Sequence, residues 1–80
     1  MAEIVWSNFV RDVLEELPTE ESDLIEEKVE MLARFHRMYP VRIRGRFRRH
    51  RRLLAGRWIV FYRIVDETVC IRGLWPAQIP

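Results

Sequence analysis

The sequence predicts an α+β domain with the element order β-α-α-β-β-β over residues 1–80. Three observations carry that prediction. Two β-rich, aromatic-bearing runs, Arg57–Val65 and Thr68–Trp75, flank the polar pair Asp66-Glu67, the pattern of a hairpin. Two amphipathic helical patterns upstream are divided by Pro18. A short β-prone run, Glu3-Ile4-Val5-Trp6, precedes both helices and supplies a strand at one side of the sheet.

Each element has its own justification. Ser7 is a good N-cap, because its hydroxyl accepts one of the orphan amides of a first helical turn. Phe9, Val10, Val13, Leu14 and Leu17 then recur on one helix face until Pro18 stops the helix. Thr19 restarts a second helix, with Glu20 and Glu21 in the turn where the helix dipole favours negative charge. Leu24, Ile25, Val29, Leu32 and Phe35 form its stripe, flanked by Met31 and Met38, and it ends before Pro40. From Val41 to Phe47 arginine alternates with apolar or small residues, as in an edge strand or an extended approach to one, with Gly45 marking a turn or bulge. His50–Leu54 is the next paired strand and Ala55-Gly56 turns it back. In the central strand Trp58, Val60, Tyr62 and Ile64 share the face that the helices cover. Arg57, Ile59, Phe61, Arg63 and Val65 share the open one. In the last strand Val69, Ile71, Gly73 and Trp75 oppose Cys70, Arg72 and Leu74, which brings Arg72 to the open face.

Charge divides the chain in two. Residues 1–30 carry ten acids against Arg11 and Lys28, a net of −8, whereas residues 31–80 carry twelve arginines against Asp66 and Glu67, a net of +10. An electropositive half attracts phosphates. All but one of the 14 cations are arginine, whose planar fork suits phosphate and base edges better than an ammonium does. The carboxylates of the helices lie on polar faces with no histidine beside them, so they read as a solvated surface and not a metal site. His36 reads as a helix-end residue that caps carbonyls. Cys70 stands alone, which excludes an internal disulfide and suits a reducing cytoplasm. No apolar run approaches the ~20 residues of a membrane span, and the acidic N-terminus is unlike a signal peptide.

The string from Arg51 to Asp66, Arg-Arg-Leu-Leu-Ala-Gly-Arg-Trp-Ile-Val-Phe-Tyr-Arg-Ile-Val-Asp, followed by Val69–Trp75, resembles the RelE/ParE superfamily of toxins. The shared order is a glycine turn, an aromatic, apolar positions, a tyrosine, an aspartate turn and a final strand, and the upstream strand and helices are similar too. The resemblance implies a cytoplasmic toxin partnered by a cognate antitoxin peptide. It also implies one of two targets: messenger RNA cut in the ribosomal decoding site, or DNA gyrase inhibited without chemistry. A relative that binds nucleic acid without cutting it is a third possibility. In the ribonuclease branch a base deprotonates a 2′-hydroxyl, which attacks the adjacent phosphorus while cations stabilise the phosphorane. No metal or other cofactor is required.

The resemblance carries the catalytic expectation onto His50, Arg51 and Arg52, with Arg57 and Arg63 supplying charge from the face of Ile59. Ile59 stands where many members place an arginine, and Gln78 stands near another usual arginine position, with no histidine or tyrosine after it. An imidazole is the side chain best suited to proton transfer near neutral pH, which makes His50 the expected general base. Arg42, Arg44, Arg46, Arg48, Arg49, Arg51 and Arg72 are the expected phosphate ligands and Phe61 the expected base-stacking ring. Trp58 and Tyr62 read as core, and Leu74 and Trp75 as core or as part of a partner groove.

Overall fold

A computed structural model describes residues 1–41 and 43–77; Arg42 and Gln78, both singled out above, lie outside the described residues. Strand β1 (Glu3–Trp6) leads into helix α1 (Asn8–Glu16). Helices α2 (Thr19–Glu30) and α3 (Leu32–Phe35) follow, and then strands β2 (Arg51–Ala55), β3 (Trp58–Val65) and β4 (Thr68–Pro76). The sheet has the order β1-β4-β3-β2. Strand β1 runs parallel to β4, and the other pairs are antiparallel. The predicted α+β layout is present, with one subdivision: the second helix breaks at Met31 into α2 and α3.

Local chemistry explains the boundaries. The Ser7 hydroxyl accepts from the Val10 amide at 3.2 Å and starts α1. The Ser22 hydroxyl donates to the Leu14 carbonyl at 2.9 Å, tying the two helices together across Pro18. Gly56, at φ +62°, opens the two-residue turn between β2 and β3, where an added Cβ would stand 2.9 Å from Leu24 Cδ2. Asp66 and Glu67 both have positive φ, 48° and 63°, as a two-residue type I′ hairpin requires.

The helices cover one sheet face. Val10, Ile25, Val29 and Leu32 meet Leu53, Ala55, Val60, Tyr62, Val69, Ile71 and Leu74 in a single buried cluster. Burying each such aliphatic side chain is worth roughly 1.5–3 kcal/mol, so this cluster is what holds the two layers together. Two stripe residues lie elsewhere than expected: Phe9 and Phe35 remain about half exposed, at 52 % and 53 %. The Phe9 ring reaches the end of the sheet, 6.3 Å from Trp75. Phe35 lies in α3, beyond the break at Met31, and does not join the buried Ile25–Val29–Leu32 stripe.

A bulge changes the faces of β4. Phe61 pairs with Gly73 and Tyr62 with Ile71, so Arg72 is the extra residue with no partner across the ladder. Val69 and Ile71 therefore share the helix-covered face with Leu74, not with Gly73 and Trp75 as strict alternation predicts. Gly73 and Trp75 turn to the opposite face. That inversion makes the site described next.

Candidate functional site

Alternation along β2 sends its two arginines to opposite sides of the sheet. Arg52 stands exposed on the open face, level with Phe61. Arg51 stands level with the buried Tyr62 and donates to the carbonyls of Arg37 at 3.2 Å and Tyr39 at 2.5 Å. Arg51, expected as a phosphate ligand, thus stands on the side of Tyr62, and its guanidinium holds the chain that leaves α3. Tyr62 works alongside it, donating to the His36 carbonyl at 2.9 Å.

Arg57 departs from its expected face as well. It lies in the β2–β3 turn and its Nε donates to Glu21 Oε1 at 3.2 Å. The same oxygen accepts from Trp58 Nε1 at 2.7 Å. These donors, the indole first and the guanidinium after it, hold the Glu21 carboxyl below its usual range against a smaller opposing effect of burial. Arg57 is therefore a clamp between turn and helix, set apart from Arg63. Arg63 remains exposed on the open face, level with Cys70, and the bulged Arg72 is exposed beside it.

The arginine-rich segment between α3 and β2 forms a loop, not a strand; its only ladder contact among the described residues is a bridge from Val41 to Arg51. Two successive turns close it, Arg48 N to Gly45 O at 3.2 Å and His50 N to Phe47 O at 3.0 Å. Gly45, Phe47 and Arg49 all have positive φ, which glycine tolerates and Phe and Arg do not without cost. What holds Phe47 there is packing. Its ring stacks on Phe61 at 4.3 Å with only 10° between the planes, above Gly73, where a Cβ would come within 2.7 Å of Phe47 Cζ. Phe61 is only 6 % exposed as a result. The expected base-stacking surface of Phe61 is thus occupied by the chain's own Phe47.

Beside this plug lies a shallow cleft of about 200 Å³ lined by Arg46, Phe47, Arg52, Ile59, Phe61 and Trp75. The Arg46 guanidinium sits over the Trp75 ring, 5.8 Å from its centroid. His50 flanks the plug with its ring edge-on to Phe47 at 5.5 Å. Its Nδ1 lies 3.2 Å from the Arg48 carbonyl oxygen. A carbonyl only accepts, so Nδ1 carries the proton and the neutral ring keeps its free lone pair on Nε2. Arg44, Arg48 and Arg49 occupy the exposed outer side of the same loop.

The structure therefore brings Arg46, Arg52 and His50 together around the plug, leaves Arg63 and Arg72 further along the sheet, and removes Arg51 and Arg57 to the helix side. Phe47 and Gly73 were not among the expected site residues, and Trp75 was expected only as core or as part of a partner groove. A signal for one of them was present, since a glycine inside a strand marks a bulge or a close approach. No group of three metal-ligating side chains occurs among the described residues. No helix among them is long and apolar enough to cross a membrane.

A sheet of one short parallel strand and three arginine-bearing antiparallel strands, covered on one face by a helical hairpin, is the layout of a toxin domain of the RelE/ParE kind. The chain belongs to that superfamily: a sequence model described as the ParE toxin of the type II toxin–antitoxin system parDE matches residues 7–78. No curated protein and no solved structure matches it. The protein is accordingly a toxin of a type II toxin–antitoxin system, and its class implies an antitoxin as partner.

Proposed function

We propose that this toxin arrests translation by cutting messenger RNA in the ribosome, in the cytoplasm, until its antitoxin covers it. The observation that supports this most is the Arg46–Arg52 cleft, with His50 packed edge-on against the Phe47 ring that lines it and its tautomer set by the Arg48 carbonyl. In this reading His50 Nε2 takes the proton of a 2′-hydroxyl, and that oxygen attacks the neighbouring phosphorus. The P–O5′ bond breaks, giving a 2′,3′-cyclic phosphate and a 5′-hydroxyl whose proton comes from solvent. Arg52 and Arg46 neutralise the phosphorane oxygens, and Arg63, Arg72 and the outer loop arginines hold the flanking phosphates. Arg57 has no part in this scheme, because Glu21 holds it.

Primer extension on messengers from induced cells tests the reading. Breaks within translated codons are expected, weakened at least a hundredfold in His50→Ala and Arg52→Ala. Unbroken messengers during growth arrest would end it. Inhibition of DNA gyrase is the second reading, favoured by one observation: Ile59 puts an apolar side chain in the cleft where another cation would strengthen phosphorane binding. A supercoiling assay with purified toxin separates the two.

A further inference from the structure

We propose that the cleft beside the Phe47 plug is a one-nucleotide pocket in which Trp75 is the stacking platform, with Arg46 and Arg52 binding the phosphate of the stacked residue. The proposal rests on the reading of this face as an RNA site, but its test does not depend on cleavage.

The bulge at Arg72 delivers Trp75 to the open face, where the residue is 38 % exposed. Phe61 cannot serve, because Phe47 lies parallel on it at 4.3 Å. Phe47, Phe61, Ile59 and Trp75 give the cleft its apolar lining, with Ile59 paired across the ladder from Trp75. Pockets for whole drug-sized ligands run from ~300 to 1,000 Å³. A cleft of about 200 Å³ is sized instead for a single planar ring with its charged edge outside. Arg46 and Arg52 supply the charged part of its lining.

Arg46 now covers the Trp75 face at 5.8 Å, so a base entering must move it. The exchange favours the ligand. Base-on-aromatic stacking is stronger than an exposed cation–π contact, and the displaced guanidinium gains a phosphate. Phe47 acts here as a positioning residue. Its anchorage on Phe61 and Gly73 fixes the loop turns that carry Arg46 and His50. Flat apolar walls beneath two forked cations match a nucleotide better than an acidic peptide, whose carboxylates need the cations but not the walls.

The test is direct binding of a short 2′-O-methyl oligoadenylate, which lacks the attacking hydroxyl and is not cut, against an abasic strand of equal charge at one salt concentration. The expected result is binding of the base-bearing strand about tenfold tighter, with that advantage lost in Trp75→Leu and kept in Trp75→Phe. Arg46→Gln should weaken the abasic strand and reduce the salt slope of both by about 0.7, while the base-bearing strand, with no guanidinium to displace from Trp75, should keep or widen its advantage. Equal affinity for the two strands, or an unaffected Trp75→Leu variant with native circular dichroism, would overturn the proposal. So would tighter binding of an oligoglutamate of equal charge, which would assign the cleft to an acidic peptide. Base-dependent binding without any messenger cleavage in cells would uphold the pocket and sink the ribonuclease reading.

Discussion

Neighbouring arginines in this chain have different work, and the direction of one Cα–Cβ bond decides which. Arg51 and Arg52 are adjacent on β2, yet Arg51 donates to two carbonyls behind the sheet whereas Arg52 faces the cleft. A charged donor to a partly buried carbonyl contributes about 1.5–3 kcal/mol, and losing it leaves those carbonyls short of a partner. Arg51→Ala should therefore lower stability by about 2 kcal/mol in urea denaturation. Arg52→Ala should stay within about 0.5 kcal/mol of the parent and instead flatten the salt dependence of oligonucleotide binding by about 0.7. Equal stability losses in the two variants would show that the alternation does not partition their roles.

At the scale of elements, the site exists because a loop and a bulge meet over a glycine. Phe47 Cζ would stand 2.7 Å from a Cβ on Gly73, closer than any relaxed contact allows. Gly73→Ala must lift the Phe47 ring, forfeiting a stacked pair worth about 0.5–1.5 kcal/mol beyond its buried area. A loss of about 1–2 kcal/mol is expected in the parent background. In a Phe47→Ala background the obstacle is gone, and alanine's smaller unfolded-state entropy should make the same change neutral or stabilising by about 0.4–1 kcal/mol. A double-mutant cycle by urea denaturation reads that change of sign, and additive effects would mean that Phe47 does not rest on Gly73.

These elements also mark how far the sequence was legible. Gly56 marked the first hairpin, because positive φ is cheap for glycine, and the polar pair Asp66-Glu67 marked the second by interrupting two β-rich runs. Ser7 and Pro18 likewise announced the bounds of α1. The bulge had no such mark beyond Gly73, and one extra residue reverses every later side chain, so Leu74 and Trp75 were assigned to each other's faces. Phe47 and Arg49 were hidden for the opposite reason. Their positive φ is imposed by tertiary packing against local preference, which periodicity does not record. Arg57 read as open-face charge because the partner that captures it, Glu21, is 36 residues away.

For the whole molecule, the segregation of charge is also what joins its two layers. Glu21 reaches from α2 to the β2–β3 turn through Arg57 and Trp58. Glu67 reaches from the β3–β4 turn to Arg37 at 2.9 Å and His36 at 3.0 Å, beyond α3. One carboxylate thus clamps each hairpin turn to the helical layer. The donors around Glu67, Arg37 first and then His36, hold it below its usual range, as those around Glu21 do. A folded pKa below the unfolded value of 4.5 means stability that is complete above pH 4.5 and is lost as pH falls through the lowered folded value. Acid has a second effect, since protonating the carboxylates leaves 14 lysines and arginines unopposed. Salt separates the two effects. Self-repulsion acts over distances that ~1 M salt screens to about 3 Å, whereas the clamps are contacts of that same length and persist. The urea midpoint should therefore fall between pH 5 and pH 3 in both low and high salt, less steeply in high salt. A Glu21→Gln/Glu67→Gln variant, which keeps one acceptor oxygen at each position but does not titrate, should lose the part of the slope that survives 1 M salt. An unchanged slope there would mean that the two turns are held by apolar packing alone.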